Sequence, residues 1–196
     1  MKILAVSDEI SQTYYDHYTP GKLDSFDLIL SCGDLKREYL EFLVTMAHCP
    51  LLYVPGNHDD SFAENPPEGC TCIDGKLVEI NGIRILGMGG SFRYRSGKNM
   101  YTEKQMTRRL IRVRRKIKTA GGIDILLTHA PASGVDDLAD LSHRGFECFT
   151  EILDTWKPAY MIHGHIHLRY GHRIPRITEY DKTTVINACG HYILNI

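Results

Sequence analysis

The amino-acid sequence predicts an α/β fold. Three observations carry that expectation: short apolar runs alternate with amphipathic stretches along the whole chain, most of those runs are bounded by Gly, Pro, Asn or Asp, and one pair of runs is joined by the two-residue turn Asn81-Gly82. The first apolar run, Lys2–Ser7, reads as a buried strand, and it is followed by Leu28–Ser31, 51–54, Ile83–Met88, 123–128, Tyr160–His163 and 184–187. The run 77–80 pairs with Ile83–Met88 through Asn81-Gly82, a turn that needs positive φ at both central positions, so antiparallel pairs are expected beside parallel ones. Between Thr102 and Ala120, the residues Met106, Leu110, Val113 and Ile117 recur at helical spacing behind a Thr102/Gln105 capping box and ahead of Gly121-Gly122. A second helix is expected after Ser142, with Phe146, Phe149, Leu153 and Trp156 on one stripe and Pro158 past its end, and a third over Arg37–Ala47. The Pro- and Gly-rich stretch 59–74 reads as a long surface loop, and with no repeat or low-complexity tract to divide the chain, residues 1–196 are expected to form one domain.

Composition narrows the function classes. A chain of 196 residues can bury a sizeable core unaided. Its formal net charge of -1 gives no global pull toward nucleic acid or an anionic membrane, so any such binding has to be local. The apolar run at residues 1–6 meets Asp8 too soon to serve as a secretory segment or to span a bilayer, so a cytoplasmic location without membrane contact is expected. The six cysteines are accordingly expected as reduced thiols. Cys70-Thr-Cys72 lacks the CxxC spacing of a zinc knuckle and reads as structural.

The chemistry lies just past the expected strands. Asp8 follows the first; Gly33-Asp34 the second; Gly56-Asn57-His58-Asp59 the third; His129 follows 123–128; and Gly164-His165-Ile166-His167 follows Tyr160–His163. Loops at the carboxyl ends of strands in an open α/β sheet share one edge, where ligands bind. Each residue alone has an ordinary explanation: Asp8 or Asp34 as a helix cap, Asn57 in a turn, a lone histidine as a satisfied polar group. Together, five loops would have to coincide. Carboxylate, imidazole and amide oxygen without thiolate form a hard-to-borderline donor set suited to Mn, Fe, Zn or Ni rather than to a structural zinc. Two divalent metal ions are the natural reading, because one central carboxylate can bridge cations about 3.5–4 Å apart that activate water for in-line displacement at phosphorus. Alternation in His165-Ile166-His167 can send the two imidazoles to different ions.

The ordered set Asp8, Gly33-Asp34, Gly56-Asn57-His58-Asp59, His129 and Gly164–His167 resembles the calcineurin-like metallophosphoesterases. The resemblance implies a four-layer α/β/β/α sandwich with the metal centre on the loops at one end of its sheets. By position, Asp34 resembles the bridging carboxylate, Asp8 and His167 the ligands of the first metal, and Asn57, His129 and His165 those of the second. His58 resembles the residue that contacts the phosphate and protonates the leaving alkoxide, with Asp59 orienting it. The compact length and the segments Thr128-His129-Ala130-Pro131 and 163–167 are most similar to the compact bacterial phosphodiesterases, so a phosphate-ester substrate, and a diester before a monoester, is implied.

One position departs from that pattern: the first motif of the family is aspartate, any residue, histidine, and this chain has Asp8-Glu9-Ile10. Three outcomes stay open, namely water or Glu9 in place of the missing ligand, a weak first site filled only with substrate, or a binding scaffold that has lost catalysis. The retention of His58, Asn57, His165 and His167 together favours the first two, and a histidine restored at position 10 is expected to tighten the site.

Other signals are weaker. Lys104, Arg108, Arg109, Arg112, Arg114, Arg115, Lys116 and Lys118 make the 103–118 helix strongly basic, which opens a nuclease alternative; without interleaved aromatic residues, a solvated helix face is the favoured reading. Whether Arg93 and Arg95 in the 89–97 loop reach a substrate phosphate stays open. Tyr14, Tyr15 and Tyr18 are expected to pack, and His17, His48, His143, His172 and His191 to be surface or satisfied residues.

Overall fold

A strand that is apolar on both faces must lie between two layers. β1 (Lys2–Ser7) is such a strand: Ile3 and Ala5 enter one apolar layer while Leu4 and Val6 enter another. The structure, a computed structural model that describes residues 1–170 and 174–196, extends this arrangement into four layers. In the first sheet, β1, β2 (Leu28–Ser31), β3 (Leu51–Tyr53) and β4 (Thr71–Cys72) run parallel. The second sheet has a parallel centre of β6 (Ile83–Met88), β9 (Ile125–Thr128), β10 (Tyr160–His163) and β12 (Thr183–Asn187). Its edges are antiparallel: β5 (Lys76–Ile80) beside β6, and β11 (Ile177–Tyr180) beside β12. β7 (Ser91–Phe92) and β8 (Met100–Tyr101) form a separate two-stranded ribbon, and β13 (Gly190–Asn195) closes the first sheet antiparallel to β1.

Between the sheets, Ile3, Ala5, Leu28 and Leu30 meet Ile85, Ile125, Leu127 and Ile162. α1 (Arg37–Ala47) covers the outer face of the first sheet, setting Tyr39, Leu40 and Leu43 on Leu4, Val6 and Ile29. α2 (Glu103–Thr119) and α3 (Glu147–Trp156) cover the second, with the Met106/Leu110/Val113/Ile117 stripe and Phe149 against Leu86, Leu126 and Met161. This is the α/β/β/α sandwich. The tyrosine segment packs as expected: Tyr14 sits edge-on to Phe26, and Tyr15 to Tyr39 and Phe42.

Local signals mark most element ends. The capping box of α2 forms, with Gln105 N–H donating to Thr102 Oγ1 at 3.4 Å and Thr102 N–H to Gln105 Oε1 at 2.9 Å. Asn81 and Gly82 take φ of 51° and 81°, the two positive values that the β5–β6 turn requires. α3 begins later than Ser142 because its cap is tertiary: Glu103 of α2 accepts from the N–H groups of Glu147 and Cys148 at 3.0 and 2.9 Å. The 59–74 stretch is less irregular than expected, since a short 3-10 turn at Asp60–Ala63 and β4 lie within it.

Candidate metal centre

Every parallel strand of both sheets ends at the same side of the sandwich, and the loops that leave those ends meet there. Asp8, Asp34 and His165 adopt left-handed backbone conformations, with φ of 61°, 56° and 67°. Such conformations cost energy in residues with a Cβ and persist where the surroundings enforce them. Gly164 is required by space: a Cβ there would lie 1.9 Å from Ser7 Oγ and 2.5 Å from Asp8 Oδ2, so only glycine lets the β10 loop close on the β1 loop. The contact is sealed by His165 N–H donating to Asp8 Oδ2 at 2.8 Å.

One half of the centre gathers around His129, which is fully buried. Its Nδ1–H donates to the Cys32 carbonyl at 2.8 Å, which leaves Nε2 facing Asn57 Oδ1 at 3.0 Å and Asp34 Oδ2 at 3.3 Å. His165 Nε2–H donates to the Ser142 carbonyl at 2.7 Å, so its Nδ1 is the nitrogen with a lone pair to offer. Single donor atoms of Asp34, His129 and His165 all lie within 4.8 Å of one another. Burial pulls the His129 imidazolium down, but the Asp34 carboxylate outweighs burial and raises it to about 9. Asp34 is pushed up by burial and brought down to about 2 by His129 and by the His58 N–H it accepts. Burial and neighbouring His129 hold His165 at about 3, a neutral imidazole fit to be a ligand. The pocket thus favours a cation among its oxygen and nitrogen atoms, and this donor set fits a divalent metal.

The other half lies around His167. Glu9 Oε1 stands 3.0 Å from His167 Nδ1, and Cys189 Sγ lies 4.0 Å from the same nitrogen. Asp8 lies between the two halves, within electrostatic reach of His129 and Asp34 on one side and of Cys189 on the other, its carboxyl raised above the ordinary range by burial. Ile10, partly buried, packs against the apolar layer of Leu4, Val6 and Tyr14 beneath α1.

His58 is exposed at the mouth, with Arg95 Nη2 at 3.4 Å from its Nδ1. Asp59, expected to orient His58, is instead buried, and its Oδ2 accepts from the N–H groups of Asp34 and Gly56 at 2.8 Å each, clamping the β2 and β3 loops together. Tyr94 Oη stands 3.5 Å from Asn57 Nδ2. Arg93 points elsewhere, with Nη2–H donating to the Met100 carbonyl at 3.1 Å. A cleft of about 360 Å³ opens beside Asp34, His58 and Asp59, lined further by Lys36, Ser61, Phe62 and Asn65.

Two contributors were not singled out as site residues in the sequence. Cys189 lies two positions past the expected 184–187 strand, the same placement that revealed the other site residues, but it matched no motif. His143 is paired with Asp140 at 2.9 Å and sets its ring 5.3 Å from that of His165, beside the centre rather than on a remote surface. His172 lies outside the described residues.

The chain is a double-sheet sandwich with carboxylate, amide and imidazole donors on the loops at one end, a donor set suited to divalent metal ions. The family model of the calcineurin-like phosphoesterase superfamily domain matches residues 1–191, and the chain belongs to that superfamily. It is 26% identical over 200 residues to a UPF0046 protein of Caenorhabditis elegans, a match that covers 82% of this chain. The chain spans about 64% of the length of that curated relative. The crystal structure of TT1561 of Thermus thermophilus is similar in fold, with a TM-score of 0.64 at 15% identity over 96% of this chain and 88% of that one. A further crystal structure gives a TM-score of 0.67 at 15% identity, over 98% and 94% of the two chains.

Proposed function

We propose that this chain, as a single domain, hydrolyses a phosphodiester with two divalent cations held by the two halves of the centre. The observation that carries the reading is the convergence of Asp34 Oδ2 and Asn57 Oδ1 on His129 Nε2, at 3.3 and 3.0 Å, with His165 beside them. Manganese suits that oxygen-and-imidazole set, as iron, zinc or nickel also would. When bound, such cations activate water and neutralise the phosphoryl oxygens.

The remaining work falls to the chain's own groups. Asp34 takes the bridging position; Asn57, His129 and His165 serve the second site; Asp8 and His167 serve the first. His58 at the mouth donates a proton to the departing alkoxide, and Arg95 beside it pairs with a phosphate oxygen. Asp59 is a positioning residue for the two loops it clamps. A diester carries one phosphoryl charge and two esterified groups. The adjoining cleft of about 360 Å³ gives room for the second esterified group, which a monoester lacks.

The basic residues at the carboxyl end of α2 take no part in this reading. Arg84 near the start of β6 donates to the Ala120 carbonyl, so the carboxyl end of α2, with Arg114, Arg115, Lys116 and Lys118, lies at the end of the sheet remote from the metal loops. Among the described residues no helix is long and apolar enough to cross a membrane. A cytoplasmic site of action is part of this proposal. The test of the activity is hydrolysis of bis-p-nitrophenyl phosphate against p-nitrophenyl phosphate with added Mn²⁺. Faster diester cleavage, abolished by chelation, is expected. No rate above the chelated control with Mn, Ni, Fe or Zn would instead support a scaffold.

A further inference from the structure

The loops after β1, β10 and β12 gather a donor set unlike the one around His129. One donor atom each from Glu9, His167 and Cys189 lies within 4.8 Å of the other two. Cys189 is 3% exposed and forms the floor, whereas the side chains of His167 and Glu9 are 19% and 43% exposed and form the wall and the rim. Asn187 locks the arrangement: its Oδ1 accepts from Cys189 N–H at 2.9 Å and its Nδ2–H donates to the Ile166 carbonyl at 2.7 Å. The thiol loop and the histidine loop are thereby tied to each other. A cysteine packed as a small apolar residue has no need of an imidazole and a carboxylate converging on it. Three Lewis bases of different hardness brought from three loops are the pattern of a cation site.

We propose that Cys189, together with His167 and Glu9, supplies a thiolate ligand to the first metal ion, in place of the imidazole that the family carries where this chain has Ile10. This rests on the metallophosphoesterase reading above and adds a ligand to it. The sulfur enters from the β12 loop, so the ligand is exchanged for one from another strand. Binding displaces the thiol proton to solvent, as for other cysteine-ligated metals. A donor set containing thiolate is softer than one of oxygen and imidazole, so the first site prefers zinc, cobalt or ferrous iron over manganese, while the His129 half accepts manganese as well. The two halves thus select different ions.

Titration of the metal-free protein with Co²⁺, followed by near-ultraviolet absorption and by metal analysis, tests this directly. Two equivalents of cobalt and a thiolate-to-cobalt charge-transfer band are expected. Cys189→Ser should abolish the band, Cys32→Ser should keep it, and Zn²⁺ should displace the cobalt responsible where Mn²⁺ does not. If Cys189→Ser fails to fold, X-ray absorption at the cobalt edge of the wild-type protein decides, since a sulfur scatterer in the first shell is required. Two bound cobalt ions without band or sulfur would overturn the thiolate and leave the phosphoesterase reading standing, and loss of the band in Cys32→Ser instead would overturn the assignment to Cys189. Absence of bound cobalt would overturn both.

Discussion

Around His129 the donors are buried and each is held by a second partner: the Cys32 carbonyl fixes the tautomer of His129, the Ser142 carbonyl that of His165, and the Asp59 carboxylate the backbone of the loop carrying Asp34. Around His167 the imidazole and the Glu9 carboxylate are 19% and 43% exposed, whereas the Cys189 thiol beneath them is buried. A rigid and a permissive half thus share one rim. The rigid half sits where loops of both sheets press together and cannot shift without unpacking the layer between them. The permissive half sits at the edge where β13 closes the first sheet, and it brings together Glu9, His167 and Cys189.

The largest effect that would sharpen this contrast is expected at His129. His129→Ala should empty the second half of metal and lower hydrolysis to the chelated background, as read by metal analysis and initial rates; retention of both ions would break the assignment of the rigid half. His58→Ala should come next, reducing kcat by about 10²–10⁴-fold, the usual contribution of a positioned acid, with metal content unchanged. The reduction should shrink for nitrophenyl esters, whose leaving groups need little protonation; equal losses for alkyl and nitrophenyl esters would remove His58 from that role.

A smaller effect concerns pH and chelation. The folded protein raises His129 from its ordinary value near 6.5 to about 9 through Asp34. A folded-state value above the unfolded one contributes stability that is fully present below about 6.5 and is lost as the pH rises through about 9. The chelated protein should therefore lose thermal stability across that window, whereas the metal-loaded protein should not, because a cation then neutralises Asp34 in place of the proton. Calorimetry with and without chelator at both ends of the window measures the difference; parallel curves would show that no metal replaces the proton. The smallest effect is expected at Ile10. Ile10→His should leave metal affinity unchanged, since Cys189 is proposed in place of the missing imidazole, and should cost less than the roughly 1–3 kcal/mol of a fully buried unpaired polar group, because position 10 is only partly buried against the layer beneath α1. Tighter binding in a metal titration would show that the permissive half still accepts the imidazole.

Much of the molecule is legible in the sequence because strong local signals coincide with it. The α2 capping box, the Asn81-Gly82 turn and the doubly apolar strands β1, β2 and β10 each carry a pattern set by backbone geometry and burial. β13 is different: Gly190–Asn195 alternates buried and exposed residues only weakly and becomes a strand because the β1 edge offers it partners. Likewise, α3 starts at Glu147 because a carboxylate from α2 caps it.

At the centre, the sequence by itself determined the donor types on five loops, since polar residues directly after buried strands must emerge at one edge. Which donors meet was decided only by the tertiary structure. Asp59 accepts from the backbone of two loops, Arg95 reaches His58 while Arg93 does not, and Ile10 packs against the layer beneath α1 while Cys189 lies beside His167. Side-chain direction past a strand end depends on loop torsions and on neighbouring layers, interactions that span as many as 158 residues of chain between Glu9 and His167. No local pattern encodes them.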